Sequence, residues 1–133
     1  MSRRRDIARH LELGERGERE ALAFLRGLRY RLLAQRFNTR AGELDLVMQD
    51  GQAIVFVEVK TRSSAALAAP HEAVNREKRR RLLSAARWYL RSQHCEDAPC
   101  RFDVVDVLWS AEAPRPKIEH FIDAFGPDDR RGW

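Results

Sequence analysis

The positions of apolar residues along the chain predict two amphipathic helices. Over residues 8–27 the apolar side chains recur every three to four positions, the period of an α-helix, at Leu11, Ala21, Leu22, Phe24, Leu25 and Leu28. A second segment with this period follows Asn75, a residue type that favours helix N-caps, and runs to about Arg91. Its apolar stripe is Leu82, Ala85, Ala86, Tyr89 and Leu90. We expect each helix to pack its apolar side against a sheet.

Shorter apolar segments predict the strands of that sheet. They cover residues 30–37, 44–49, 53–61, 101–109 and 117–125, whereas residues 63–70 form an Ala- and Ser-rich loop. The order of helix, three strands, helix and further strands predicts a mixed α/β fold with helices flanking the sheet. A length of 133 residues fits one domain. We place its core at about residues 10–125, between a short Arg-rich N-terminal tail and a polar C-terminal tail.

The second and third strands are joined by Asp-Gly at 50–51, a sequence typical of two-residue hairpin loops. If these two residues form the loop, Asp45 lies opposite Phe56 and Glu43 lies opposite Glu58. Asp45 and Glu58 are then diagonal neighbours on one face of the sheet, about 7–8 Å apart at the backbone. The register therefore predicts that two carboxylates converge in the middle of the sheet.

Lys60 shares the face of Asp45 and Glu58, so three charged groups point the same way from a mostly buried surface. Isolated charges in such a place are costly. One solution is a divalent cation bound by the carboxylates. The other is mutual pairing, in which Lys60 forms an ion pair with Glu58 and either Arg62 or Arg40 forms one with Asp45.

Two further charged residues are predicted to lie on the inward side of a helix. Glu18 falls on the apolar stripe of the first helix, where Gly14 and Gly17 allow close approach to the sheet. Such a carboxylate is either paired with a buried Arg or directed at a metal site. Lys78 lies on the inward side of the second helix's first turn. It either directs its ammonium group toward the site or extends it to solvent.

Positive charge is carried almost entirely by arginine. The net charge is +5, and 22 of the 25 basic residues are Arg, the lysines being Lys60, Lys78 and Lys117. Basic residues concentrate in residues 1–42 and 72–91, on either side of an acidic strand region. This distribution suits a polyanion such as nucleic acid, although Arg-rich helices can also be simply solvated.

Several classes of protein are excluded. No apolar run exceeds the length of residues 53–57, far shorter than the roughly 18–20 residues of a membrane span, and no apolar stretch follows the N-terminus as in a secretory signal. Cys95 and Cys100 with His94 are one ligand short of a zinc site. We expect reduced thiols and a cytoplasmic location.

Five motifs follow one another along the chain. They are Gly-Glu-Arg-Gly-Glu at 14–18, Gly-Glu-Leu-Asp-Leu-Val at 42–47, Val-Phe-Val-Glu-Val-Lys-Thr-Arg at 55–62, Lys78 on a basic helix, and Arg-Phe-Asp-Val-Val at 101–105. Together they resemble the YraN family of small bacterial proteins. That family is similar to the Holliday-junction-resolvase-like branch of the PD-(D/E)XK nuclease superfamily. The resemblance covers about residues 10–125 and implies a restriction-endonuclease-like αβββαβ core.

The resemblance also implies roles at a catalytic site. Asp45 and Glu58 would hold Mg²⁺ or Mn²⁺, with the Val59 carbonyl as a further ligand. Lys60 would orient or help to deprotonate the attacking water, a role that suits an ammonium better than a guanidinium. Glu18 would reach the site through water or the metal.

Other charged residues would support this site. Glu43 adds a third carboxylate, as a ligand or as a partner of the ligands. Residues on and near the basic helix would bind nucleic acid: Lys78, Arg79, Arg80, Arg40 and Arg62. The resemblance also suggests a homodimer, because two symmetric cuts in a DNA junction need two sites.

Three functions stay open at this point. The leading hypothesis is a divalent-metal-dependent nuclease that hydrolyses phosphodiester bonds in DNA, including branched or junction DNA. The first alternative is a non-catalytic nucleic-acid-binding module that retains the nuclease fold. The second is a protein-interaction subunit that uses Trp88, Trp109 and Trp133 as contact surface.

Overall fold

In the computed structural model, residues 3–63 and 75–126 are described. The elements in chain order are α1 (Arg3–Gly27), β1 (Arg31–Asn38), β2 (Glu43–Asp50), β3 (Ala53–Ser63), α2 (Arg76–Ser92), β4 (Cys100–Trp109) and β5 (Lys117–Phe125). Each predicted helix and strand is found, although α1 begins well before the expected residue 8. The predicted loop beyond Ser63 and the C-terminal Trp133 lie outside the described residues. Neither α1 nor α2 combines the length and apolar composition needed to cross a membrane.

The strands form one mixed sheet in the order β1-β2-β3-β4-β5. Neighbouring strands are antiparallel except β3 and β4, which are parallel and have α2 between them in the chain. Parallel neighbours need such a crossover element, because a short hairpin can join antiparallel strands only. With α1 on one face and α2 on the other, the predicted mixed α/β fold is confirmed. It is compatible with a restriction-endonuclease-like core.

Each helix buries one side against its face of the sheet. The predicted stripe of α2 is confirmed, since its five apolar residues are buried against aromatic side chains of β3, β4 and β5. On α1, Ala21 and Leu25 are fully buried. The prediction was wrong for Leu11 and Leu28, whose exposed fractions are 64% and 45%. Leu11 precedes the part of α1 that lies on the sheet, and Leu28 follows the end of the helix.

The hairpin between β2 and β3 uses residues 51–52 as its loop, not residues 50–51. Asp50 pairs with Ala53, and Gly51 takes a left-handed backbone with φ of +59°. A two-residue hairpin loop needs positive φ at its first residue, and glycine adopts it without steric cost. The predicted register was therefore wrong by two residues.

The corrected register changes which side chains meet across the hairpin. The last recorded pair is Leu46 with Val57, and continuing the register by one position sets Asp45 opposite Glu58. The prediction had placed Asp45 opposite Phe56. No pair is recorded at that position, but the two carboxylates lie close enough for the charge of Glu58 to act on Asp45.

A buried polar cluster lies at the hairpin end of the sheet. The fully buried Asp103 accepts hydrogen bonds from Arg101 Nε (3.0 Å) and from the backbone N–H of Asp123 (3.0 Å), and it lies 2.8 Å from His120 Nε2. Burial raises the pKa of Asp103, but the bonds from His120 and Arg101 outweigh it and hold the pKa below its usual value. The cluster ties β5 to β4, beside Asp123, whose φ is +52°.

Candidate metal centre

The candidate site lies where the pairing between β2 and β3 ends. Both strands continue past the last pair, Leu46 with Val57. There, Asp45 Oδ2 accepts a hydrogen bond of 2.9 Å from the Val59 N–H. A side-chain carboxylate therefore takes the place that a backbone carbonyl has in a regular ladder, and the strand backbones need not stay paired.

Asp45 also lies at a break in the alternation of β2. Leu44 packs into the core under α2, whereas Leu46 packs into the core under α1. Residues two positions apart in a regular strand share a face, so the chain is irregular at Asp45. On the neighbouring strand, Arg36 has a left-handed φ of +51°. Paired irregularities of this kind redirect side chains and are common beside functional sites.

Three carboxylates from α1 and β2 converge at this point. One oxygen from each of Glu18, Glu43 and Asp45 lies within 4.8 Å of the others. The predicted inward position of Glu18 is borne out by its 16% exposed side chain. Glu43, predicted to lie opposite Glu58, instead joins this cluster, because the register differs from the predicted one.

α1 approaches the sheet closely beside Glu18. A Cβ added to Gly17 would overlap the Thr61 hydroxyl and lie 2.9 Å from the Thr61 Cβ. Real Cβ atoms do not come this close to other atoms, so the contact admits glycine only. The absence of a side chain at position 17 therefore lets α1 carry Glu18 to the edge of the cluster.

A second group of charges, on β3 and α2, faces Asp45. Lys78 Nζ lies 2.6 Å from Glu58 Oε1, and Glu58 is 7% exposed. The pairing expected between Lys60 and Glu58 is therefore made by Lys78, which is carried in by the first turn of α2 after its N-cap Asn75.

The two lysines have opposite pKa shifts. Burial, followed by the positive charge of Lys78, lowers the pKa of Lys60. Burial also acts to lower the pKa of Lys78, but its ion pair with Glu58 outweighs this and raises it. Lys60 is thus the lysine that gives up a proton more readily.

Asp45 is held in an unfavourable environment for an anion. Burial, and next the negative charge of Glu58, raise its pKa to about 8, against the opposing hydrogen bond from Val59. Without a cation, this environment therefore favours the protonated form of Asp45. The buried Glu58 and the half-buried Asp45, with further carboxylate oxygens beside them, form a set of hard oxygen donors, which suits Mg²⁺ or Mn²⁺. The residues present thus fit such an ion.

The predicted nucleic-acid-binding arginines differ in their surroundings. Arg62 donates to both oxygens of the buried Asp106, at 3.2 and 3.4 Å. Arg79 is half-buried, whereas Arg40 and Arg80 are exposed. Arg62 is thus engaged within the fold, whereas Arg40 and Arg80 are exposed to solvent.

Sequence reasoning did not place Arg36 or Arg81 beside the carboxylates. Arg36 Nε donates a hydrogen bond of 2.8 Å to Glu18 Oε2. Arg81 lines a cleft of about 290 Å³ together with Gly42, Glu43, Lys78 and Leu82. The signal for Arg36 was present in β1, where the inward side chains Ala34 and Phe37 are three positions apart instead of two. Nothing in the sequence distinguishes Arg81 from its basic neighbours.

Comparison with known proteins identifies relatives over most of the chain. Residues 17–107 match the family described as "Uncharacterised protein family UPF0102". A UPF0102 protein of Geotalea uraniireducens (strain Rf4) is 42% identical over 123 residues, which cover 92% of this chain and 96% of that protein. A UPF0102 protein of Alkalilimnicola ehrlichii (strain ATCC BAA-1101 / DSM 17681 / MLHE-1) is 47% identical over 118 residues, which cover 86% of this chain and 92% of the relative. The family resemblance stated from the motifs is confirmed by these matches.

Proposed function

Since this chain belongs to the uncharacterised protein family UPF0102, we propose its function from its own site: a divalent-metal-dependent nuclease that hydrolyses phosphodiester bonds in DNA. The observation that carries this proposal is the convergence of carboxylates from α1, β2 and β3 beside two partly buried lysines. A purely structural cluster would be expected to pair each acid with a base. Here burial and the charge of Glu58 raise the pKa of Asp45, so the nearby bases do not compensate its negative charge.

Asp45 and Glu58 would hold the ion, with Glu18 and Glu43 beside them. The Val59 carbonyl is suited to join them, because the N–H and C=O of one strand residue point to the same edge, and the Val59 N–H points to Asp45. A bound Mg²⁺ or Mn²⁺ would polarise the phosphate and lower the pKa of a bound water.

Two lysine side chains complete the proposed site. Lys60, with its lowered pKa, can accept a proton from an attacking water more readily than an ordinary lysine. Lys78 positions Glu58 through their ion pair. Both lysines place positive charge where a pentavalent phosphate would carry extra negative charge.

The adjoining cleft supplies a route for the DNA backbone. Lys78 and Arg81 line it, and Arg40 and Arg80 are exposed. Such side chains bind phosphates irrespective of sequence. We therefore expect recognition of DNA shape, including branched or junction DNA, rather than of base sequence.

The test is cleavage of supercoiled, single-stranded and four-way-junction DNA with Mg²⁺ or Mn²⁺ by the wild type, Asp45→Asn and Glu58→Gln. Each variant keeps the size of its side chain and loses the charge. We expect wild-type cleavage that chelation abolishes, and a loss of at least ~100-fold in each variant.

Matched controls are Asp97→Asn and Glu96→Gln, which make the same changes at exposed acids in the α2–β4 connection. Both should cleave like the wild type. Absence of cleavage by the wild type on every substrate, with salt-sensitive DNA binding retained, would instead favour the non-catalytic nucleic-acid-binding module.

A further inference from the structure

Arg36 supplies a fixed positive charge at the solvent-exposed edge of the carboxylate cluster. Its guanidinium donates to Glu18 at 2.8 Å, and Glu43 is among the carboxylates that act on it. Its backbone is held at φ of +51°, a strained conformation that residues other than glycine rarely adopt. The irregular strand therefore directs Arg36 toward Glu18.

The charges around the site can be counted. Among the described residues, the ionisable groups around the site are five acids and four bases, namely Glu15, Glu18, Glu43, Asp45, Glu58, Arg36, Lys60, Lys78 and Arg81. With all acids ionised, as metal ligation requires, the set carries one net negative charge. One divalent ion converts this into one net positive charge, which a single phosphodiester neutralises. A second divalent ion would leave two positive charges without partners.

Whether the centre binds one ion or two depends on whether the Glu18 carboxylate pairs with Arg36 or binds a second ion. Its carboxylate lies close enough to Glu43 and Asp45 to share an ion with them, yet it already pairs with Arg36. Since a guanidinium stays protonated at any relevant pH, Glu18 is not released through loss of the Arg36 charge.

We propose that the Arg36 guanidinium takes the place of a second divalent ion at Glu18, so that the centre binds a single ion. This inference rests on the proposed function, because it assumes that Asp45 and Glu58 bind a divalent ion. It assigns Arg36 a positioning role: the residue holds Glu18 and completes the charge balance without contacting the reacting atoms.

The test is the number of Mn²⁺ ions bound per chain, measured by titration calorimetry and by electron paramagnetic resonance on the intact protein. We expect one ion in the wild type and in Arg36→Lys, which keeps the charge. In Arg36→Gln we expect two ions, with the spin coupling of a close Mn²⁺ pair. Adding Glu18→Gln to Arg36→Gln should return the number to one.

Arg31→Gln is the matched control, because Arg31 is an exposed arginine on the same strand, and it should bind one ion. Two ions in the wild type, or one ion at unchanged affinity in Arg36→Gln, would overturn the inference and leave the proposed function standing. No ion in either protein would overturn both.

Discussion

At position 60, a lysine and an arginine would have different chemical consequences. Both Lys and Arg can balance the carboxylates, but only the ammonium changes its protonation readily. We predict that Lys60→Arg retains DNA affinity within about twofold and loses at least ~100-fold in cleavage rate, the usual contribution of a positioned acid or base. Binding is measured with metal replaced by Ca²⁺, and cleavage with Mg²⁺.

Lys117→Arg is the control for this change, because Lys117 is an exposed lysine at the start of β5. It should cleave at the wild-type rate. Normal cleavage by Lys60→Arg would show that position 60 supplies charge alone.

The sequence predicts which residues form the site better than it predicts which side chains they pair with. Alternation along β3 identifies the shared face of Glu58 and Lys60, and the helical period identifies Glu18. The ion pair of Glu58 with Lys78 joins a strand to a helix that is distant in the chain. Spacing within a single element carries no information on such a contact.

At the scale of elements, the contact of α1 with β3 sets the position of Glu18. We predict that Gly17→Ala, whose Cβ would collide with Thr61, moves α1 away from the sheet. The expected cost is about 1–3 kcal/mol in the free energy of unfolding, as for other overpacked contacts, and the affinity for Mn²⁺ should fall. Denaturant unfolding and metal titration measure the two effects.

Gly14→Ala is the matched control, since no atom lies within 4 Å of a Cβ built there. It should be neutral or stabilise α1 by up to about 1 kcal/mol, because alanine favours helices over glycine. A stable Gly17→Ala protein with wild-type Mn²⁺ affinity would contradict the role given to this contact.

The elements themselves were largely predictable, because their apolar periods are clear and Asn75 caps α2 as expected. The hairpin register was not, since the turn residues leave two possible loops that differ by one position. The left-handed conformation of Gly51 decides between them. That one-position change gives Phe56 the partner Val47 instead of Asp45.

At the scale of the whole molecule, the buried Asp103 makes stability depend on pH. Its pKa is lowered in the folded protein, so its stabilising effect is complete above the usual carboxyl pKa of about 4. That effect is lost as the pH falls through the lowered value. We predict that Asp103→Asn reduces the free energy of unfolding by about 3 kcal/mol at pH 7, because it breaks a buried ionic cluster.

Urea unfolding from pH 3 to pH 8 measures this dependence. The difference between the wild type and Asp103→Asn should be large at pH 5 and above and should shrink below pH 4. Asp97→Asn, at an exposed acid, should show little change at any pH. A difference between the wild type and Asp103→Asn that stays constant down to pH 3 would contradict the assignment.

The left-handed residues of the two outer strands have a consequence for self-association. An open sheet exposes unpaired backbone groups on both edges, which can template the addition of strands from other copies. Arg36 on β1 and Asp123 on β5 each interrupt such an edge with a charged residue at positive φ. Neither edge therefore offers a long, regular strand for pairing, and the irregularity that shapes the cluster on one side of the molecule also protects the folded chain against aggregation.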